Sequence, residues 1–336
     1  MDTTGILDEA LERLHAAGPE RNGWLSNHGP MAVEALVRHG QAPVVHRWLD
    51  HYRTKLEDMP PLNTPITEAT WREALGAPAR IADWARYFER ETSERPWREV
   101  LARWWPRLLP GIAGGATHPV IRTGHAVRTL LDGEETAPRV VELAHALGYW
   151  AARHQPLADL ATFAPAPDAA TALDAVRPVP LQEGGIRDRL DQLTGFPLWG
   201  LAPGPEEARE RLTELVAAAT HRYATHGHGE PIMLVHAATA PNAVLRTLPA
   251  LPRELWAASL AAAWTASAAV TAAYAPDRPA PYKATCLTAE EVFEQAAAHG
   301  DDHTIKFTDT ALDVGDRLAL AAAARSIALN PPVFQR

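Results

Sequence analysis

Positions 299 to 309 read His299-Gly-Asp-Asp-His303-Thr-Ile-Lys306-Phe-Thr-Asp309, a run of imidazoles, carboxylates and one amine that could hold a divalent metal. Helical spacing sets His299 four residues before His303 and Lys306 three after it, so all three can project from one face. The amine stands out because the chain has 32 basic residues, of which only Lys55, Lys283 and Lys306 are lysines. Arginine keeps its proton under all ordinary conditions, so an amine that must become neutral to react has to be lysine. A capped helix start, with Asp301 or Asp302 at the cap and Lys306 in solvent, explains the same residues without chemistry.

Three further segments carry histidines in comparable places. Asn27-His28-Gly29-Pro30-Met31 enters a helix, with Pro30 suited to its first turn. His118 and His125 stand seven apart in Thr117-His118-Pro119-Val-Ile-Arg122-Thr-Gly-His125, on one helical face two turns from each other. His236 sits in the apolar run Met233-Leu-Val-His236-Ala-Ala-Thr239, where burial would oblige it to find a partner. A lone histidine at such a position is more often a hydrogen-bonded core or cap residue than a ligand. Four such segments together raise the odds of a shared centre above those of any one of them. The remaining histidines, His15 and His145 among them, lie near helix ends or among charges and carry no expected role.

The elements that must position these residues are helices. Segments rich in alanine, leucine and arginine recur at helical period and β-branched alternation is nearly absent, which predicts an all-α fold. Expected helices cover about 6–17, 30–39, 43–56, 68–75, 79–91, 97–109, 118–131, 138–153, 205–226, 230–238, 252–275, 288–298, 302–314 and 317–329. Many open on proline or on a Ser, Thr or Asp cap. Residues 164–205 are broken by prolines and glycines and read as an irregular connection. With 336 residues and 46% hydrophobic content, the chain is expected to form one large helical domain over 1–336 or two packed helical lobes.

A net charge of −9 argues against a nucleic-acid partner, which would call for a basic face. The first residues have neither a basic nor an apolar leader region, and the apolar run 255–274 is dominated by Ala, Ser and Thr. A cytoplasmic chain with no membrane partner is therefore expected. Cys286 is the only cysteine, so neither an intrachain disulfide nor a thiolate metal cage can form.

Ser26-Asn-His28-Gly-Pro-Met-Ala-Val-Glu-Ala-Leu, Gly115-Ala-Thr-His118-Pro-Val-Ile-Arg122-Thr-Gly-His125-Ala, His236-Ala-Ala-Thr239 and His299-Gly-Asp-Asp-His303-Thr-Ile-Lys306-Phe-Thr, in that order, resemble the questin oxidase family. The resemblance implies oxidative, Baeyer–Villiger-like ring cleavage of an aromatic polyketide such as an anthraquinone. Some family members are regarded as non-haem iron oxygenases, with histidines and a carboxylated lysine around the metal. Matching segments carries that ligand set onto His28, His118, His236, His303 and Lys306, with His125 facing substrate or supporting a ligand.

The residues suit that chemistry. Neutral imidazoles with one anionic oxygen ligand fit Fe(II) or Mn(II), and the absence of thiolates removes blue-copper, thiolate-haem and iron–sulfur sites. Gly111-Ile-Ala-Gly114-Gly115 lacks dinucleotide-fingerprint spacing, so a bound flavin is not expected. An external reductant, NADPH directly or a separate reductase, would supply the electron-rich form of a quinone. Lys306 has two routes: an amine that adds carbon dioxide and ligates as a carbamate, or a cation paired with Asp302 or Asp309. Arg122 is a candidate for a substrate phenolate or a developing anionic oxygen, with a structural ion pair as its alternative. Trp104, Trp105, Trp199 and Trp256 could wall a flat aromatic pocket, although core packing accounts for them equally.

Two other functions fit the same elements. A helical metal-dependent hydrolase would be marked by a His-Asp dyad, whereas these segments give Asp301-Asp302-His303. A non-catalytic protein that binds a hydrophobic ligand would keep the scaffold and hold no metal.

Overall fold

The computed structural model describes residues 5–157 and 160–334. The fold is all-α, and among the described residues the strands form only two small two-stranded sheets. The chain divides into two compact units, Met1–Pro156 with Arg246–Pro252 and Leu157–Leu245 with Arg253–Arg336.

In the first unit, α1 (Ile6–His15) is followed by a small antiparallel pair, β1 (Glu20–Arg21) and β2 (Leu25–Ser26). Then come α2 (Gly29–Arg38), α3 (Ala42–Arg53), α4 (Trp71–Ala74), α5 (Ile81–Glu94), α6 (Trp97–Leu108), α7 (His118–Asp132) and α8 (Ala137–Ala152). Helix α8 packs along α5 and α7, and α2 packs on α1, α3 and α7. Gly148 lets α8 approach α5 closely, since a Cβ there would lie 2.9 Å from the backbone nitrogen of Ala85. Trp104 is buried among Trp71, Trp84, Tyr87 and Phe88, and Trp105 lies edge-on to Trp150. These two tryptophans build the core, where each large ring removes much apolar surface from water.

The second unit opens with β3 (Ala161–Pro165), α9 (Ala169–Asp174), α10 (Ile186–Leu190) and β4 (Gly195–Leu198), β3 and β4 pairing in parallel. Periodicity within 164–205 gives no hint of this pair, because its strands are short and Pro165 and Pro197 lie inside them. The helices that follow are α11 (Pro205–His226), α12 (Pro231–Leu234), α13 (His236–Thr247), α14 (Trp256–Tyr274), α15 (Ala289–His299), α16 (Asp302–Val314) and α17 (Arg317–Leu329). Helix α11 packs against α9, α14, α16 and α17. Helix α14 is the one helix among the described residues long and apolar enough to cross a membrane, yet most of it is covered by the protein. Trp199 lies edge-on to Trp264 of α14, and Trp256 is buried with Arg253 over its ring.

Sequence spacing puts His299, His303 and Lys306 on one helical face, but the chain breaks between the first two. Gly300 turns into the left-handed region (φ 81°) and ends α15, and Asp301 caps a new helix by accepting from the Thr304 amide at 2.8 Å. His299 instead donates from Nε2 to the Asn330 carbonyl at 3.0 Å. It therefore ties the end of α15 to the end of α17.

Candidate metal centre

Each unit carries a pair of buried histidines. In the first unit His28 and His118 meet edge-on, with ring centroids 4.5 Å apart. Asn27 sets the approach to α2, accepting from the Gly29 amide at 2.9 Å while its own amide donates to the Gly18 carbonyl at 3.1 Å. The His28 backbone amide donates to the Tyr52 hydroxyl at 2.7 Å. His118 opens α7 after three consecutive left-handed residues, Gly115, Ala116 and Thr117 (φ 56°, 54° and 65°). Alanine and threonine pay roughly 1–2 kcal/mol each for that conformation, because Cβ crowds the following carbonyl. The turn aims the Gly115 carbonyl at the His118 ring, which donates to it from Nδ1 at 2.7 Å.

In the second unit His236 and His303 meet edge-on with centroids 5.4 Å apart. His236 opens α13 and donates from Nδ1 to the Met233 carbonyl at 2.9 Å, the same bond to the carbonyl three residues back that His118 makes. With Nδ1 as the donor, Nε2 carries the lone pair. A histidine that ligates through Nε2 needs this tautomer, and the second bond is what fixes it. Burial first, then the Lys306 and His303 charges, hold His236 well below its ordinary 6.5, so the ring is neutral.

Lys306 stands one helical turn beyond His303 and is almost completely buried. Its Nζ has no hydrogen-bond partner among the described residues. Burial pulls the ammonium down from 10.5 to about 8, against the opposing charges of Asp302 and Asp301. The result is a buried amine without a hydrogen-bond partner among the described residues, where the ammonium form is costly. Asp302 Oδ1 lies 2.8 Å from His303 Nδ1. Oxygens of Asp301 and Asp302 and a ring nitrogen of His303 fall within 4.8 Å of one another, a cluster that could hold a metal ion.

The other expected site residues on α7 are held by buried carboxylates. Arg122 holds Glu142 of α8 with both arms of its fork, Nε to Oε1 at 2.5 Å and Nη2 to Oε2 at 2.7 Å. The guanidinium is thus committed to a structural pair, and its charge is neutralised before any substrate phenolate arrives. His125 Nδ1 lies 2.6 Å from Glu34 Oε2, and Arg128 Nε donates to Oε1 of the same carboxylate at 2.9 Å. Burial pushes the Glu34 carboxyl up, but the Arg128 charge and the His125 bond outweigh it and hold the group at about 2. His125 is lowered by burial, partly offset by Glu34.

Two histidines given no role by the sequence join this buried charge system. His15 Nε2 is 3.1 Å from Glu142 Oε2, His145 Nε2 is 2.8 Å from Glu89 Oε1, and the two rings meet edge-on at 4.9 Å. The one available signal was spacing: Glu142 and His145, three apart, share a face of α8, but their partners lie far away in sequence.

A search of curated proteins finds no match to the chain. A family model does match, over the stretch that carries His28, His118, Arg122 and His125: residues 25–174 are questin oxidase-like.

Proposed function

We propose that the chain is a non-haem iron oxygenase that opens a ring of an aromatic polyketide such as an anthraquinone, with His28, His118, His236, His303 and Lys306 as ligands of one ion. The observation that carries this reading is the device shared by His118 and His236, each of which donates Nδ1–H to the carbonyl three residues back and so carries its lone pair on Nε2. A neutral imidazole at His236 and an amine that burial brings down to about 8 at Lys306 suit Fe(II), whereas a surface lysine would repel it. The questin oxidase-like match supports an oxidoreductase. Iron would supply the redox change that lets dioxygen react with an electron-rich ring.

The protein's own groups do the positioning. The left-handed turn before His118 and the cap at Asp301 fix where the ligating helices begin. The Arg122–Glu142 pair locks α7 to α8. His125, held through Nδ1 by Glu34, is oriented to accept a phenolic proton at Nε2. An external reductant, NADPH directly or through a separate reductase, keeps the substrate in its hydroquinone form. A metal-dependent hydrolase is the second reading, favoured by the Asp302 carboxylate beside His303.

Single-turnover reaction of anaerobic, Fe(II)-loaded protein with chemically reduced anthraquinone and labelled dioxygen tests the assignment. Label in a ring-opened product without added flavin is the expected result. An absolute flavin requirement, or equal turnover by metal-free protein, refutes it.

A further inference from the structure

The chain has 11 tryptophans, and all but one of them are buried. Trp24 is the exception, with 61% of its surface exposed. A large ring held in water at the tip of a turn is free to stack on a ligand. The turn itself is tight. Asn22 and Gly23 take the left-handed conformation (φ 50° and 76°), and the Trp24 amide donates to the Arg21 carbonyl at 3.2 Å, closing the hairpin between β1 and β2. Arg21 adds a second unengaged group. Its Nε is buried without a hydrogen-bond partner, and no carboxylate pairs with the guanidinium among the described residues.

The base of the hairpin is fastened to the segments that carry His28 and His118. Ser26 Oγ and the Tyr149 hydroxyl are hydrogen-bonded at 2.6 Å, Arg153 Nε donates to Glu20 Oε1 at 2.5 Å, and the Asn27 amide donates to the Pro19 carbonyl at 2.8 Å. The same Tyr149 hydroxyl lies against Gly115, 3.4 Å from where a Cβ would stand, and the Gly115 carbonyl holds the His118 ring. Strand β2 leads through Asn27 into His28, so Trp24 is four residues from that proposed ligand, at most about 14 Å along a fully extended chain.

We infer that the hairpin tip recognises the substrate: Trp24 stacks on a flat polycyclic aromatic, and Arg21 pairs with an anionic oxygen on it, a phenolate or a carboxylate. The inference rests on the aromatic substrate of the reading above. It fills two parts that other residues have left open. Trp104, Trp105, Trp199 and Trp256 are buried, and Arg122 is neutralised by Glu142. An indole and a guanidinium on one tight turn select flat anions over neutral or aliphatic ligands, because stacking needs a π-face and the guanidinium a negative oxygen.

Binding to the full-length protein as purified, under anaerobic conditions, tests the inference without turnover. Anthraquinone-2-carboxylate is titrated in while acrylamide quenching follows the exposed indole, and bound ligand is expected to shield Trp24 and lower the quenching. Trp24→Ala should weaken binding about tenfold, and Trp24→Tyr, which keeps a stacking face, should restore most of it. The wild type should bind the carboxylate about fivefold more tightly than the uncharged anthraquinone-2-carboxamide, and Arg21→Gln should abolish that preference. On iron-loaded protein, Trp24→Ala should raise the KM for reduced anthraquinone with kcat unchanged. Unaltered quenching at saturating ligand, or equal affinity of Trp24→Ala and wild type, overturns the stacking role, and a charge preference that survives in Arg21→Gln overturns the pairing role. Absence of binding by the wild type overturns both. Ligand that shields Trp24 in a protein that never consumes oxygen with reduced anthraquinone would keep the hairpin and defeat the oxygenase reading beneath it.

Discussion

Replacing Lys306 by methionine should stabilise the metal-free protein. Methionine keeps much of the side-chain length and removes only the charge, so packing changes little. The amine titrates at about 8 in the folded chain against an ordinary 10.5. Below pH 8 it is protonated in both folded and unfolded states, and the cost of burying the ammonium is present in full. That difference corresponds to about 3 kcal/mol. Between pH 8 and 10.5 the unfolded chain binds the proton that the folded chain has lost, so stability of the metal-free wild type rises with pH across this window. Above it both states are neutral and the cost has vanished. Urea unfolding of chelator-treated wild type and Lys306→Met from pH 7 to 10.5 measures this directly. The variant should be more stable by about 3 kcal/mol at pH 7, with the gap closing toward pH 10.5. Equal stability at pH 7, or a gap independent of pH, would show that Lys306 is not a buried, partnerless cation.

Three further outcomes follow from named contacts. Glu142→Gln leaves the Arg122 guanidinium buried without its counter-charge and should cost about 3–5 kcal/mol in urea unfolding at pH 7. The Arg122 charge and bond hold the buried Glu142 carboxyl at about 2, against an ordinary 4.5 and despite the upward push of burial, so its contribution is complete above pH 4.5 and lost as pH falls toward 2; acid titration followed by circular dichroism should show this loss in wild type and a shallower one in Glu142→Gln. Ala116→Gly relieves a left-handed alanine and should raise the thermal midpoint slightly, by up to about 1 kcal/mol of stability, with no loss of iron; a lower midpoint would mean that the turn before His118 is not strained.

The helical framework could be read from the sequence because it rests on local signals. Proline and Asp or Thr caps mark starts such as Thr288 and Asp301, and the left-handed Gly300 marks an end. The burial of His236 could also be read from the apolar run around it. What the sequence could not supply was pairing over long separations. Glu34 and His125 are 91 residues apart and His15 and Glu142 are 127 apart, so no periodicity links them. Arg122 was therefore open to two roles, substrate cation or ion pair, and the partner that makes the pair, Glu142, stands 20 residues away on another helix. His299 was misplaced for the opposite reason: simple helical spacing ignored the break that Gly300 imposes.

The central claim is that four histidines and Lys306 hold one iron ion. Metal content of anaerobically purified protein, measured by mass spectrometry for the wild type beside His118→Ala, His236→Ala and Lys306→Arg, tests it most directly. Lys306→Arg preserves the positive charge but cannot form a carbamate. The expected result is iron near one equivalent per chain in the wild type and its loss in all three variants, each still folded by circular dichroism. Stoichiometric zinc in place of iron, or iron retained in full by the folded variants, would contradict it.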